Sequence, residues 1–132
     1  QALEEYMLSL RLDPRYVETY RRLGDFYRGV DDNDAAIATY EQGLKLAPRD
    51  VALNSLLGFL YADKGDTQKA IEYNLAVIAA RPSDESALRN LTILYSQIGD
   101  KQNARLYGEQ ALQVMTDETA RTELQALLDQ LK

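Results

Sequence analysis

The sequence predicts an all-α solenoid built from antiparallel helix hairpins, and two observations carry that prediction. The three prolines, Pro14, Pro48 and Pro82, are spaced 34 and 34 residues apart. The same period returns in Leu23, Leu57 and Leu91, in Tyr27, Tyr61 and Tyr95, in Asp32, Asp66 and Asp100, and in Ala36, Ala70 and Ala104. Five columns are therefore identical in all three copies, whereas ordinary residue frequencies give a three-way match in roughly one column in a few hundred. The second observation is the pattern inside each unit. Apolar residues recur at helical spacing along two segments divided by turn residues, which reads as two helices per repeat.

The segment 1–16 is expected to be a half-repeat. Ala2, Leu3, Tyr6, Leu10 and Leu12 fall where Ala36, Ile37, Tyr40, Leu44 and Leu46 fall one period later. This is the pattern of a second helix without its first-helix partner, so the chain reads as a piece of a longer one. Leu3, Tyr6 and Leu10 are expected to be exposed toward the missing partner, a face suited to self-association.

Repeat 1 is assigned to 17–50, with Tyr20, Leu23 and Tyr27 on its first helix and Ala36, Ile37 and Leu44 on its second. Asp31 stands where the later repeats have glycine, and Asp is among the few residues that tolerate left-handed geometry. Repeat 2 is assigned to 51–84. Asp50 caps its first helix through the carboxylate, and Leu53, Leu57, Leu60 and Tyr61 form one stripe. Gly65 stops that helix at a position open to positive φ. Asp66 caps the second helix, whose stripe is Ala70, Ile71, Leu75 and Ile78, and Pro82 ends the unit. Repeat 3, assigned to 85–116, repeats the scheme with Leu88, Leu91, Tyr95, Gly99, Asp100, Ala104 and Leu112. The segment 117–132 begins at an Asp117 cap and carries Leu124, Leu127, Leu128 and Leu131 on an otherwise polar helix. That is the composition of a terminal cap, which solenoids need for solubility.

Residue size follows the same logic. Gly24 and Gly58 come one residue after the repeated leucine, with Thr92 in the third copy. Small residues there and in the Ala36, Ala70, Ala104 column let two helices approach, and Leu and Tyr fill the gaps beside them. A single hairpin cannot bury both faces, so hairpins must stack.

With Leu-Gly-x-x-Tyr at 23–27 and 57–61, Ala at 36, 70 and 104, and Pro at 14, 48 and 82, the chain resembles the tetratricopeptide repeat family over nearly its whole length. It departs from the family at Asn54 and Leu88, where an aromatic is expected, and at Thr92, where glycine is expected. The resemblance implies a right-handed superhelical solenoid whose first helices line a concave groove. It places Glu18, Arg21, Asp25 and Arg28, then Ala52, Ser55, Phe59 and Ala62, then Ser86, Arg89, Ile93 and Ser96 on that groove.

Phe59 and Ile93 share one column and are expected side by side, either as an anchor pocket for an apolar side chain or as padding between first helices. Arg21, Arg28 and Arg89 suit carboxylates on an incoming peptide, unless Glu18 and Asp25 neutralise them. Asn54 and Asn90 are candidate partners for a ligand backbone, or simple polar spacers. A subfamily of these repeats clamps the C-terminal carboxylate of chaperones with lysine, asparagine and arginine. Asp25, Phe59 and Ile93 stand where that clamp needs other residues, so no such clamp is expected.

Composition narrows the function classes. The chain carries 15 Lys and Arg against 21 Asp and Glu, a net charge of -6, which repels a phosphate backbone, so no nucleic-acid partner is expected. It has no cysteine and no histidine, which removes thiolate chemistry, the usual general base and the commonest metal ligand. No apolar run is long enough to insert directly into a membrane. Glu4 with Glu5, and Asp31 with Asp32, are carboxylate pairs, but a helix surface and a capping turn account for them. The run from Asp31 to Asp34 lacks the glycine and distal glutamate of a calcium loop. The expectation is therefore a non-catalytic interaction or scaffold domain without cofactor or metal. It would bind a peptide or helix of another protein through Arg21, Asp25, Arg28, Ser55, Phe59, Ala62, Arg89, Ile93 and Ser96. The alternatives are the non-catalytic targeting arm of a larger enzyme, or a self-assembly module acting as a homo-oligomer through the N-terminal helix.

Overall fold

A computed structural model describes residues 2–132, and among these residues every regular element is helical. The order is α1 (Ala2–Leu12), α2 (Val17–Gly29), α3 (Asn33–Leu46), α4 (Val51–Lys64), α5 (Thr67–Ala80), α6 (Glu85–Gln97), α7 (Lys101–Val114) and α8 (Glu118–Gln130). The fold is an all-α helical repeat solenoid. The most extensive contacts join α2 to α3, α4 to α5 and α6 to α7, the two arms of each hairpin, and the remaining major contacts join consecutive helices.

Local chemistry explains the boundaries. Asp32, Asp50, Asp66, Asp84, Asp100 and Asp117 are N-caps, and each carboxylate accepts from the backbone N–H three residues on. Each cap satisfies one of the donors that a helix start leaves unpaired. Helix α2 differs, because its N-cap is Tyr16, which makes no side-chain cap bond. Gly65 and Gly99 end α4 and follow α6 at φ 90 and φ 80, and Asp31 takes the same left-handed geometry at φ 61.

The core is a chain of patches rather than one centre. Ala36, Ile37 and Tyr40 of α3 bury against Leu53, Leu57 and Leu60 of α4. Ala70 and Ile71 of α5 meet Leu91 and Leu94 of α6. Leu88, Ala111 and Met115 meet Leu124 of α8, while Ala104 packs with Leu128 and Leu131. The first two patches therefore join one hairpin to the next and the last two join the third hairpin to α8, as nearest-neighbour stacking requires. The Leu124, Leu128 and Leu131 face of α8 covers α7, and its remaining face is largely exposed.

The glycines mark close approaches. A Cβ on Gly58 would lie 2.9 Å from Asn74 Nδ2, and one on Gly43 would lie 2.9 Å from Tyr20 Cβ. In the third repeat the small residue changes helix. Thr92 is fully buried with its hydroxyl donating to the Leu88 carbonyl at 2.8 Å, and Gly108 on α7 makes room for Leu128.

The N-terminal helix corrects one expectation. Leu3, Tyr6 and Leu10 are half-buried rather than exposed. Helix α1 packs on α2, with the Tyr6 and Phe26 ring centroids 6.4 Å apart and the Ser9 and Thr19 hydroxyls bonded at 3.1 Å. The large apolar side chains that α1 leaves open are Met7 at 43%, Leu8 at 48% and Leu12 at 79% exposure. One neighbour suffices to cover the i, i+3, i+7 stripe, so the exposed apolar face is the adjacent one.

Candidate functional site

The sequence-predicted groove residues lie on α2, α4 and α6, the first helices of the three hairpins. On α2 they form an ion network. Arg21 bonds Glu18 through two nitrogens and reaches Asp25 Oδ2 from Nη1 at 3.1 Å, while Arg22 Nε adds to Glu18 at 3.3 Å. The Tyr40 hydroxyl donates to the other oxygen of Asp25. The Arg21 guanidinium holds the Glu18 carboxyl below its ordinary range, and Glu18 in turn raises Arg21. Burial, and then the Asp25 bond, push the Tyr40 phenol well up. Arg21 is thus committed within its own helix, the outcome that neutralisation by Glu18 and Asp25 implies. Arg28 is half-buried and makes no ion pair among the described residues.

On α4 the face is apolar and open. Ser55 and Ala62 are exposed, and Phe59 is 60% exposed. On α6, Arg89 pairs with Glu85 at 3.5 Å, Ser96 is half-buried, and Ile93 is 44% exposed. Phe59 and Ile93 line one cavity of about 140 Å³. Gly58 and Ala62 belong to the α4 wall, Asn90, Leu94 and Gln97 to the α6 wall, and Asn74 of α5 to the same lining.

The sequence reading missed Asn74 and Gln97. Asn74 is the informative one. It is 4% exposed and donates to the Ala70 carbonyl at 2.8 Å. One period earlier the same column holds Tyr40, whose ring fills the space against Gly24. Replacing a phenol ring with a carboxamide beside Gly58 removes volume, and the cavity lies where that volume is lost. The signal was present as a change of residue size within a repeat column. Asn54, by contrast, is corrected. It is 2% exposed, and its amide donates to the carbonyls of Pro48 at 3.1 Å and Asp50 at 2.9 Å. It locks the α3–α4 turn and has no donor to spare for a ligand. Asn90 is exposed at the cavity.

The carboxylate pairs have structural partners or open solvent. Asp32 caps α3, Asp34 pairs with Lys64 at 3.1 Å, and Glu4 and Glu5 are exposed on the first turn of α1. Among the described residues no three His, Cys, Asp or Glu side chains are grouped to hold a metal ion. No helix among them is long and apolar enough to cross a membrane.

A family model described as tetratricopeptide repeat matches residues 27–92. The chain belongs to the tetratricopeptide repeat family. Two solved structures illustrate the shared fold. A crystal structure of MamA superposes with a TM-score of 0.78 at 20% identity, covering 98% of this chain and 84% of that one. A tetratricopeptide repeat protein from Parabacteroides merdae ATCC 43184 superposes with a TM-score of 0.88 at 20% identity, covering 98% of this chain and 52% of that one. At such identities the likeness concerns the fold alone. No curated protein matches the chain. Family membership makes this a protein-interaction scaffold of a generally non-catalytic family.

Proposed function

We propose that the chain binds a peptide or helix of a partner protein across the first-helix face, with Phe59 and Ile93 as the apolar anchor. The observation that carries this reading is the open cavity of about 140 Å³ between these two exposed side chains. Exposed large apolar residues grouped around a cavity are the usual form of an interaction hot spot. Ser55, Ala62 and Ser96 keep the approach uncrowded, while Asn90 and Gln97 supply amide donors and acceptors at the rim. Arg28 on α2 offers an unpaired charge, and Arg89 on α6 offers one that an incoming carboxylate would share with Glu85. Arg21 and Asp25, bound to each other, act as a fixed polar wall.

Affinity capture from native lysate tests the reading with the intact chain and with Phe59→Ala and Arg89→Glu. Loss of the Phe59 ring is expected to weaken a groove-bound partner by about tenfold or more. Retention of every partner by both variants would remove the groove from consideration.

A second reading, self-association, draws on Met7, Leu8 and Leu12, which are exposed together on α1. Light scattering of the intact chain and of a Met7→Ser, Leu8→Ser, Leu12→Ser variant tests it. A dimer that the substitutions dissolve supports it, and a monomer at high concentration rules it out.

A further inference from the structure

A second cleft runs along the second helices of the first two full repeats. Helix α3, the turn after it and helix α5 border adjoining open depressions of about 580 Å³ and 430 Å³ that share Pro48. Ala38, Leu44 and Tyr73 give the larger one an apolar wall, and Ala76, Ala79 and Ala80 give one to the smaller. The short side chains on α5 admit the close approach of another backbone, and burying this apolar surface favours an occupant. None of these lining residues is shared with the cavity between Phe59 and Ile93.

The charge at this cleft runs against that of the chain. Lys45 lines the larger cavity and Arg49 the smaller, both are exposed, and neither makes an ion pair among the described residues. Arg21, Arg22 and Arg89 on the first helices each hold a carboxylate. Lys45 and Arg49 thus give this apolar cleft two exposed, unpaired cations although the chain's net charge is -6. The carboxylate lining the larger cavity is Glu41, and its Oε2 already accepts the hydroxyls of Tyr61 at 2.9 Å and Tyr73 at 2.8 Å. The stacked rings of Tyr61 and Tyr73, 5.6 Å apart, make that side of the cleft a fixed wall.

We propose that this cleft is a second docking surface, and that its occupant is an acidic segment of a partner protein carrying apolar side chains. The carboxylates meet Lys45 and Arg49, the guanidinium of Arg49 taking a carboxylate through two parallel bonds. The apolar side chains lie over Tyr73, Ala76 and Ala79. A partner engaged here leaves the first-helix face free, so one chain bridges two proteins.

A randomised peptide library displayed on phage tests the proposal when panned in parallel on the intact chain, on Lys45→Glu with Arg49→Glu, and on Phe59→Ala with Ile93→Ala. The expected result is enrichment of peptides rich in Asp and Glu on the intact chain and on the Phe59, Ile93 variant, with loss on the Lys45, Arg49 variant. A synthetic copy of an enriched peptide should bind the charge-reversed variant about tenfold or more weakly, lose affinity with added salt, and perturb the amide resonances of Ala76, Ala79 and Ala80. A Lys45→Gln, Arg49→Gln variant, checked for helix content, separates charge loss from misfolding and should also bind weakly. Absence of acidic enrichment, retention by the charge-reversed variant, or loss on the Phe59, Ile93 variant would overturn the proposal. The last outcome assigns the acidic peptides to the first-helix face.

Discussion

Gly24 of α2 lies directly against the ring of Tyr40 of α3, with no room between them for a side-chain carbon. The contact sets the spacing of the first full hairpin, because the buried ring is also tied to Asp25 through its hydroxyl. One period later the pair becomes Gly58 and Asn74, and two periods later Thr92 and Gly108. The same position thus passes from a filled gap, through the open cavity beside Phe59, to a hairpin whose glycine serves the next helix.

Gly24→Ala is expected to destabilise the fold by about 1–3 kcal/mol, because the added carbon displaces a packed ring. In a Tyr40→Ala background the same change should cost nothing or stabilise, since alanine is the better helix former by about 1 kcal/mol. Urea denaturation of the full double-mutant cycle measures the coupling. Equal costs in both backgrounds would show that the ring is not what excludes a side chain at position 24.

Helix α2 lacks a side-chain cap that its counterparts have. Tyr16 occupies the column of Asp50 and Asp84, with φ -87 and ψ 101 against φ -62 and ψ 117 for Asp50. The backbone is already extended there, so Tyr16→Asp is expected to add about 0.5 kcal/mol by offering a carboxylate to the first-turn N–H groups, of which Thr19 N–H now has only the Tyr16 carbonyl at 3.1 Å. A rise in the thermal midpoint checks this, and an unchanged or lower midpoint counts against it.

The turn residues at positions 31, 65 and 99 share a left-handed backbone. Nothing lies within 4 Å of a Cβ placed on Gly65, so a side chain there meets only its own backbone. Gly65→Ala should therefore cost about 1 kcal/mol from conformation alone. Asp31→Gly should change stability by less than that or improve it slightly, since aspartate already carries part of the strain. Chemical denaturation of both variants distinguishes these outcomes from a packing role.

Stability should fall steeply in alkali. Burial, and then the Glu41 carboxylate, push the Tyr61 phenol up to about 12 and raise Tyr73 as well. Tyr40 and Tyr95 are also raised, chiefly by burial. An unfolded tyrosine ionises near pH ~10. Each of these groups has a folded value above its unfolded one, so its contribution is whole below the unfolded value. It is lost as pH climbs through the folded value. Denaturation midpoints should hold at neutral pH and drop above about pH 10.

Glu41→Leu should lower the ionisation midpoint of the Tyr61 and Tyr73 phenols, followed by phenolate absorbance, while leaving the fold in place. One period later Leu75 stands in the Glu41 column, and the corresponding rings of Tyr95 and Tyr107 still stack at 5.7 Å with 6° between planes. An unchanged phenol titration in the variant would mean that Glu41 does not set those values.

The helix boundaries and the identity of the repeat were legible in the sequence because they depend on local chemistry. Asp caps, glycine at positive φ and proline at the unit end act within a few residues of themselves, and the 34-residue period repeats each signal two or three times. Asp31 could be placed in a left-handed turn from its column alone, and the structure puts it at φ 61. Exposure of Phe59 and Ile93 was also readable, since both fall off the buried stripe of their helices.

Contacts between elements were decided only by the tertiary structure. Asn54 looked available on its helix, but the Asp50 carbonyl one turn back and the Pro48 carbonyl of the α3–α4 loop claim its amide, and the second reaches it only when that loop closes. Leu3, Tyr6 and Leu10 looked unpartnered, but one neighbouring helix covers them and turns Met7, Leu8 and Leu12 outward. Arg21 and Lys45 are both basic residues by sequence, but Arg21 is spent on carboxylates and Lys45 is not. Period and capping determined what this chain folds into, because they act through bonds along the chain. Which side chains remain free to meet a partner depends on what the stacked neighbours have already taken.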